Sequence, residues 1–407
     1  MTINLLKNFA LTDADTGGQT ATVGEPTLAN NDKEIFFAGN WYATKSIDAG
    51  ATWTFVDPFS LLPSAGGGFC CDQVVVYDPG HDLLVWLLQY VRDQQGTNIL
   101  RLAVKAGGTL SDDTWHWWDF SPGSTNAAWT AEWFDYPDLE LGTNSLYMTT
   151  NSFEGDEWKR SVVFRLPLQA LADQGTLTYQ YFTSTENFSL RCVRGAGTTM
   201  HFASHNSTSE IRIFSWPESD PAPSLHDVSI STWNAGQYSA PGPDGTNWLA
   251  RCDDRITGAW LANGVIGLAW SANSRGSRPF PYVRVVEISE AQMQAVADRD
   301  IWSPNHAYAY PNGCPDDDGR IGITLFRGGN QLNPSHVVGV FDDQTQQWEL
   351  QATQNGTNGP SDNKWGDYLT CRRSAPDGKS WLASGYTLQG GGARNDVEAR
   401  VVHFEVL

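Results

Sequence analysis

The sequence predicts an all-β fold: a single seven-bladed β-propeller of four-stranded blades, the last blade closed by the N-terminal strand. Three observations predict it. Runs of 5–8 residues rich in Val, Ile, Phe, Trp and Tyr recur along the chain, punctuated by Gly, Asn and Asp. Helix signals are scarce: residues 290–299 carry the best and 168–173 a weaker one. One two-strand layout recurs seven times, which selects a propeller over a sandwich or a closed barrel. The 18 Trp and 39 Gly among 407 residues suit a β protein with many turns and flat apolar faces.

Each repeat opens on a polar residue, runs a strand, turns tightly and returns in a second apolar strand that ends in polar residues. The first opens at Glu25 and returns over 35–40. The second opens at Asp72 and returns over 84–90, and the third opens at Asp138 and returns over 146–151. The fourth opens at Arg191 and returns through Met200 to Asn206. The fifth opens at Asp254 and returns over 265–271, and the sixth opens near Tyr310 and returns over 321–327. The seventh opens at Asp367 and returns over 381–386. The spacings between openings are 47, 66, 53, 63, 56 and 57 residues, a mean of 57. A four-stranded blade takes about 40–45 residues, so each repeat has residues to spare for loops. Only 40 residues follow Asp367, enough for about three strands, the last at 400–407. A strand-like segment at 3–11 within residues 1–24 supplies the missing one. Closure of that kind removes the free sheet edges of an open array. One domain over residues 1–407 is therefore expected.

The charge balance limits the partners. Lys and Arg total 26 and Asp and Glu 46, a net charge of -20. That excludes duplex nucleic acid and anionic membrane surfaces as main partners, and no apolar run approaches the roughly 18 residues of a membrane helix. A glycan or small-molecule ligand and a monomeric chain are the expectations. An anionic small ligand stays compatible, because a local arginine cluster can override the global field. The first ten residues hold one Lys and no signal-peptide core. The location is therefore left open: cytoplasmic if Met1 is native, secreted if a signal was removed. The six Cys form no CxxC pair, so a thiolate zinc site is not expected. Adjacent Cys70 and Cys71 are either two half-buried thiols or a vicinal disulfide.

Residues 46–53 read Ser-Ile-Asp-Ala-Gly-Ala-Thr-Trp. This resembles the Asp box of sialidase-like (BNR-repeat) propellers. The resemblance implies a tight turn between a blade's two outer strands, with Trp53 packed inward and the turn facing away from the active side. A second segment, 374–381, is superficially similar, but it lies between inner strands and reads as a plain turn. The sialidase enzymes also imply an arginine triad, a Tyr–Glu nucleophile pair and an Asp acid, their first arginine lying in a Phe-Arg-Ile-Pro motif. Here that region reads Gly24-Glu25-Pro26, and no Arg occurs in residues 1–91. The resemblance thus covers the repeat layout and not the catalytic set of a true sialidase.

In a propeller, the start of strand one and the end of strand two of each blade meet at one face. Convergence at a single central mouth is therefore expected of the openers Glu25, Asp72, Asp138, Arg191, Asp254, Tyr310 and Asp367. The closers Trp41, Tyr90, Asn151, His205, Arg327 and Tyr386 are expected there too, with long loops including 57–71, 232–251 and 355–365. Five carboxylates around one axis repel, so they require protonation, arginine pairing or a bound cation. Raised pKa values would give Asp72, Asp138, Asp254, Glu25 and Asp367 acid and base roles in glycoside chemistry. Arg191, Arg255 and Arg327 can pair those acids or hold a substrate carboxylate. No cofactor is required, although Ca2+ would suit an oxygen-lined channel. The bland alternative is that each Asp caps its own turn.

His205 ends a strand on that face, where it can abstract the C5 proton of a uronic acid or act as an acid. With a Tyr and an Arg nearby it resembles the set of propeller-type polysaccharide lyases. Trp41, Tyr90, Trp248 and Tyr386 offer flat faces for sugar rings, although most of the Trp are expected to pack between blades. The leading expectation is a carbohydrate-active enzyme, a hydrolase or lyase, with one asymmetric site. A lectin-like glycan-binding propeller and a propeller enzyme on a non-sugar small molecule are the alternatives.

Overall fold

The computed structural model describes residues 1–107 and 109–407. It contains seven antiparallel sheets of four strands each. Their first strands are Thr27–Asn31, Phe69–Asp78, Glu132–Leu141, Arg191–Cys192, Ile256–Ala262, Ala307–Pro315 and Cys371–Arg373. In six sheets each strand pairs with the next in the chain. In the seventh, Cys371–Arg373, Trp381–Leu388 and Val397–Val406 are joined by Ile3–Ala10. That strand pairs antiparallel with Val397–Val406, from Ile3 opposite Val406 to Ala10 opposite Arg400. The fold is a seven-bladed β-propeller, and the N-terminal strand completes the last blade.

The helix expected at 290–299 does not form. The chain turns after Ser289 and runs the strand Gln294–Asp298 against Tyr282–Ser289. Alternating helix formers favour a helix weakly, but the open ladder of the third strand offers register partners to Gln294, Ala295, Ala297 and Asp298, and that pairing wins. The weaker signal gives a five-residue helix, Leu168–Ala172. No helix among the described residues is long and apolar enough to cross a membrane.

The chain divides into two compact units. The first comprises Met1–Leu28, His205–Ile211 and Asp227–Leu407. One part of its core gathers Trp248, Phe326, Trp365 and Tyr386, and another stacks Trp381 on Phe404 at 5.3 Å between ring centroids. A Cβ on Gly322 would stand 2.5 Å from the Trp381 ring, so the second strand of the sixth blade needs glycine at that point. The second unit comprises Ala29–Ser204 and Arg212–His226. Its strand Leu83–Tyr90 is buried at all eight positions, as a near-continuous apolar run requires when both faces are covered.

Residues 46–53 make the expected tight turn between Ala43–Ser46 and Thr54–Val56, the third and fourth strands of the first sheet. Ser46 Oγ accepts the Gly50 N–H at 2.8 Å, and Asp48 Oδ1 accepts the Thr52 N–H at 2.8 Å. The Thr52 hydroxyl donates to Asp48 Oδ2 at 2.6 Å. These bonds favour the ionised carboxylate and lower the Asp48 pKa from 3.8 to about 2. Because the folded pKa is depressed, its stabilisation is present above about pH 4 and is lost as the pH falls through about 2. Asp48→Ala is expected to lower the melting temperature at pH 7 by an amount that shrinks on acidification. Melts at pH 7 and pH 2 check this; a pH-independent difference would assign the effect to something other than the carboxylate.

Candidate functional site

Within the first unit, two loops ahead of first strands build an acid–arginine cluster. Asp254 lies two residues before Ile256–Ala262, and Asp367 four residues before Cys371–Arg373. Asp367 Oδ2 lies 3.2 Å from Arg255 Nη2 and 3.5 Å from Arg251 Nη2. Arg255 Nε reaches Asp253 Oδ2 at 2.7 Å, and the Asp367 backbone N–H donates to Glu25 Oε1 at 3.1 Å. Glu25, Asp253, Asp367, Arg251 and Arg255 are thus joined through the loop segments that carry them.

Aromatic packing fixes the Asp367 loop. Trp365 packs on Tyr386 at 4.5 Å and on Phe326 at 5.2 Å. The Tyr386 hydroxyl donates to Thr22 O at 2.9 Å and accepts the Gly366 N–H at 2.9 Å, while the Tyr310 hydroxyl donates to Trp365 O at 3.2 Å. Gly366 has φ 97°, and a Cβ there would stand 2.4 Å from the Tyr310 ring. Tyr310 itself is held at φ 57°, a left-handed conformation that costs a non-glycine residue about 1–3 kcal/mol. Rigid placement of the residue before Asp367 is the outcome.

Burial raises the Asp367 pKa, although Arg255 and then Arg251 oppose it. Burial also raises that of Asp254, with the neighbouring Asp253 adding to it. His205 lies between Trp233 at 4.9 Å and Trp270 at 4.7 Å. Its Nε2 is 2.9 Å from Asp254 O, which makes Nε2 the protonated nitrogen, and its Nδ1 has no partner in the protein. Burial lowers its pKa to about 4, so the ring is neutral at pH 7. His205 therefore braces the Asp254 loop with one nitrogen.

The second unit brings together other expected residues. Arg191 Nη1 lies 3.0 Å from Asp138 Oδ2, both side chains nearly buried. One strand period on, Glu140 Oε2 accepts from Arg194 Nε at 2.8 Å, and this pair is buried too. For Asp138 and Asp367, arginine pairing is how their burial is tolerated. Asp72 lies half-buried in Phe69–Asp78, next to the Cys70–Cys71 disulfide. Among the described residues, no group of three or more His, Cys, Asp and Glu gathers as a metal-ligand set.

Several expected binding residues occupy structural positions. Tyr90 is buried and accepts from Arg101 Nη1 at 2.9 Å. Trp248, Tyr310 and Tyr386 are buried in the first unit's core, so none offers an open ring face. Asn151 is buried and accepts from Ser161 Oγ at 2.9 Å and Ser189 N at 3.0 Å. Arg327 donates to Asn355 Oδ1 at 3.1 Å, and Trp41 is half-buried. Register explains part of the scatter. Bulges precede the points where the ladders resume at Gln73, Asp138, Gly258 and Asn312. Tyr310 therefore sits two residues before the position equivalent to Asp138, which Asn312 occupies.

Sequence reasoning missed Arg251, Asp253, Glu140 and Arg194. The run Arg251-Cys-Asp-Asp-Arg255 was the available signal for the first two. The alternation of Asp138 with Glu140 was the signal for the other pair.

No family model matches the chain, and no curated protein matches it. Solved structures do. A protein of unknown function from Dyadobacter fermentans is similar at 10% identity and TM-score 0.49, over 100% of this chain and 99% of that one. A sialidase of Trypanosoma rangeli is similar at 14% identity and TM-score 0.46 over 80% of this chain, and the match spans only 56% of the sialidase. An α-L-arabinofuranosidase of Fusarium graminearum is similar at 10% identity and TM-score 0.42, over 86% of this chain and 97% of that one. At these values the similarities say nothing about a site.

Proposed function

We propose that this chain is a carbohydrate-active propeller enzyme, a glycoside hydrolase, with Asp367 as the proton donor. The observation that carries the reading is the largely buried Asp367 carboxyl, its pKa pushed up by desolvation in a loop held rigidly by Tyr310, Trp365 and Tyr386. A glycosidic leaving group needs such an acid, with a second carboxyl group beside it. Glu25, bonded to the Asp367 backbone, is that second group. Arg251 and Arg255 keep the acid in place and present guanidinium groups to an anionic or hydroxyl-rich ligand.

Hydrolysis is favoured over elimination by the state of the bases. A lyase needs a group that takes the C5 proton near neutral pH. His205 titrates near 4 and commits Nε2 to Asp254 O, while burial raises the phenols of Tyr310 and Tyr386. A melting-temperature screen against neutral and uronic-acid oligosaccharides, with and without Ca2+, tests the reading. Mass spectrometry of each hit then identifies products. Products heavier in sum than the substrate by one water support it. Unsaturated products without added water would replace it with a lyase, and a stabilising ligand left intact would replace it with a binding module.

A further inference from the structure

We propose that a groove between the outer strands of the fifth and sixth blades, remote in sequence from Asp367, binds a neutral oligosaccharide chain with Trp302 as its platform. Of the 18 Trp, only Trp302 is exposed, at 43%. It edges a groove of about 420 Å3 whose walls are residues 298–302 and 346–350, with Arg278. Those walls follow or form the fourth strands Gln294–Asp298 and Gln347–Gln354.

The groove is preformed and electrically balanced. Arg284 and Asp300, both nearly buried, lie 3.0 Å apart and set one wall, and Arg284 also reaches Asp298 at 2.8 Å. Arg278 pairs with Asp300 at 2.6 Å, its guanidinium 5.9 Å from the Trp302 ring centre. Arg299 pairs with Glu287 at 3.1 Å, and its carbonyl accepts the Trp348 indole N–H at 2.7 Å. Each cation thus has its anion, so nothing here selects a charged ligand. What remains is a flat apolar ring flanked by the amides of Gln346 and Gln347 and by paired polar groups, which matches the faces and hydroxyl edges of uncharged sugars. Ile301 is buried, so Trp302 is the groove's one well-exposed apolar side chain, too little for a protein interface of about 1,000 Å2.

Native gel electrophoresis through arabinoxylan, mixed-linkage β-glucan or galactomannan tests this. The wild type and Asp367→Asn are expected to be retarded equally by at least one polymer, and Trp302→Ala to migrate as in a blank gel. Titration with a hexasaccharide of that polymer is expected to show affinity about tenfold weaker in Trp302→Ala. Retardation of Trp302→Ala equal to wild type, or no retardation of wild type in any gel, would overturn the proposal. So would a fall in solution mass on Trp302→Ala, which would make this face a contact between copies. Because Asp367→Asn addresses the catalytic reading alone, the two ideas fail separately.

Discussion

Asp367→Asn is expected to lower kcat/KM by about 10²–10⁴-fold on any glycoside the protein turns over, while its melting temperature at pH 7 stays level or rises. The first half follows from the role of proton donor, since an amide cannot supply the proton. The second follows from linkage. The Asp367 pKa is raised in the folded state, so the folded protein binds that proton more tightly than the unfolded chain. The resulting stability is full below the unfolded pKa and is lost as pH rises through the folded one. Wherever Asp367 is ionised in the folded protein, that largely buried carboxylate is a burden that the isosteric amide removes. Arg255 keeps its bond to Asp253, so the substitution strands only part of the arginine charge. A stability–activity trade-off of this sign is what a functional acid shows and a structural one does not. The same acid sets a basic limb in the pH profile, with activity falling as Asp367 ionises. Kinetics and melts on the purified variant check both halves. Full activity with a lowered melting temperature would make Asp367 a structural ion-pair member.

Deletion of residues 1–10 is expected to destabilise the fold by about 5 kcal/mol or more, a large share of a typical domain's stability. Seven register pairs join Ile3–Ala10 to Val397–Val406. Ile3 and Leu5 pack against the cluster of Trp381, Val402 and Phe404. Arg400 Nη1 donates to Asn8 Oδ1 at 2.9 Å, and Asn8 Nδ2 donates to Thr353 O at 2.8 Å. Removing the strand breaks these bonds and leaves the ladder of Val397–Val406 as a bare apolar edge, ready to pair with another chain. A sharp fall in melting temperature with light scattering on storage is the expected readout. A truncated protein that melts like the full chain and stays monodisperse would show that the last blade does not depend on this strand.

Much of this architecture was legible because strand periodicity and turn residues are local signals. The predicted openings of the seven repeats lie within six residues of the observed first strands. The missing strand of the last blade could be counted from the 40 residues after Asp367. The Ser46–Trp53 turn was readable for the same reason, since its bonds join residues two to four apart. Residues 290–299 were misjudged because their fate depends on a neighbouring strand and not on their own propensities.

The site was legible by residue type and not by position. Bulges shift each first strand's height by one or more residues, and no local pattern marks where they fall. Aromatic residues chosen for flatness were mostly core, because a propeller consumes flat side chains in packing. The sequence by itself determined the all-β class, the seven repeats, the closing strand and a surplus of acids with few arginines to meet them. Only the tertiary structure decided which acid meets which arginine, that Asp367 is largely buried and pushed upward while His205 is held neutral, and that Trp302 is the most exposed of the tryptophans. Pairing and burial depend on side chains brought together from distant parts of the chain, and their distances follow from packing.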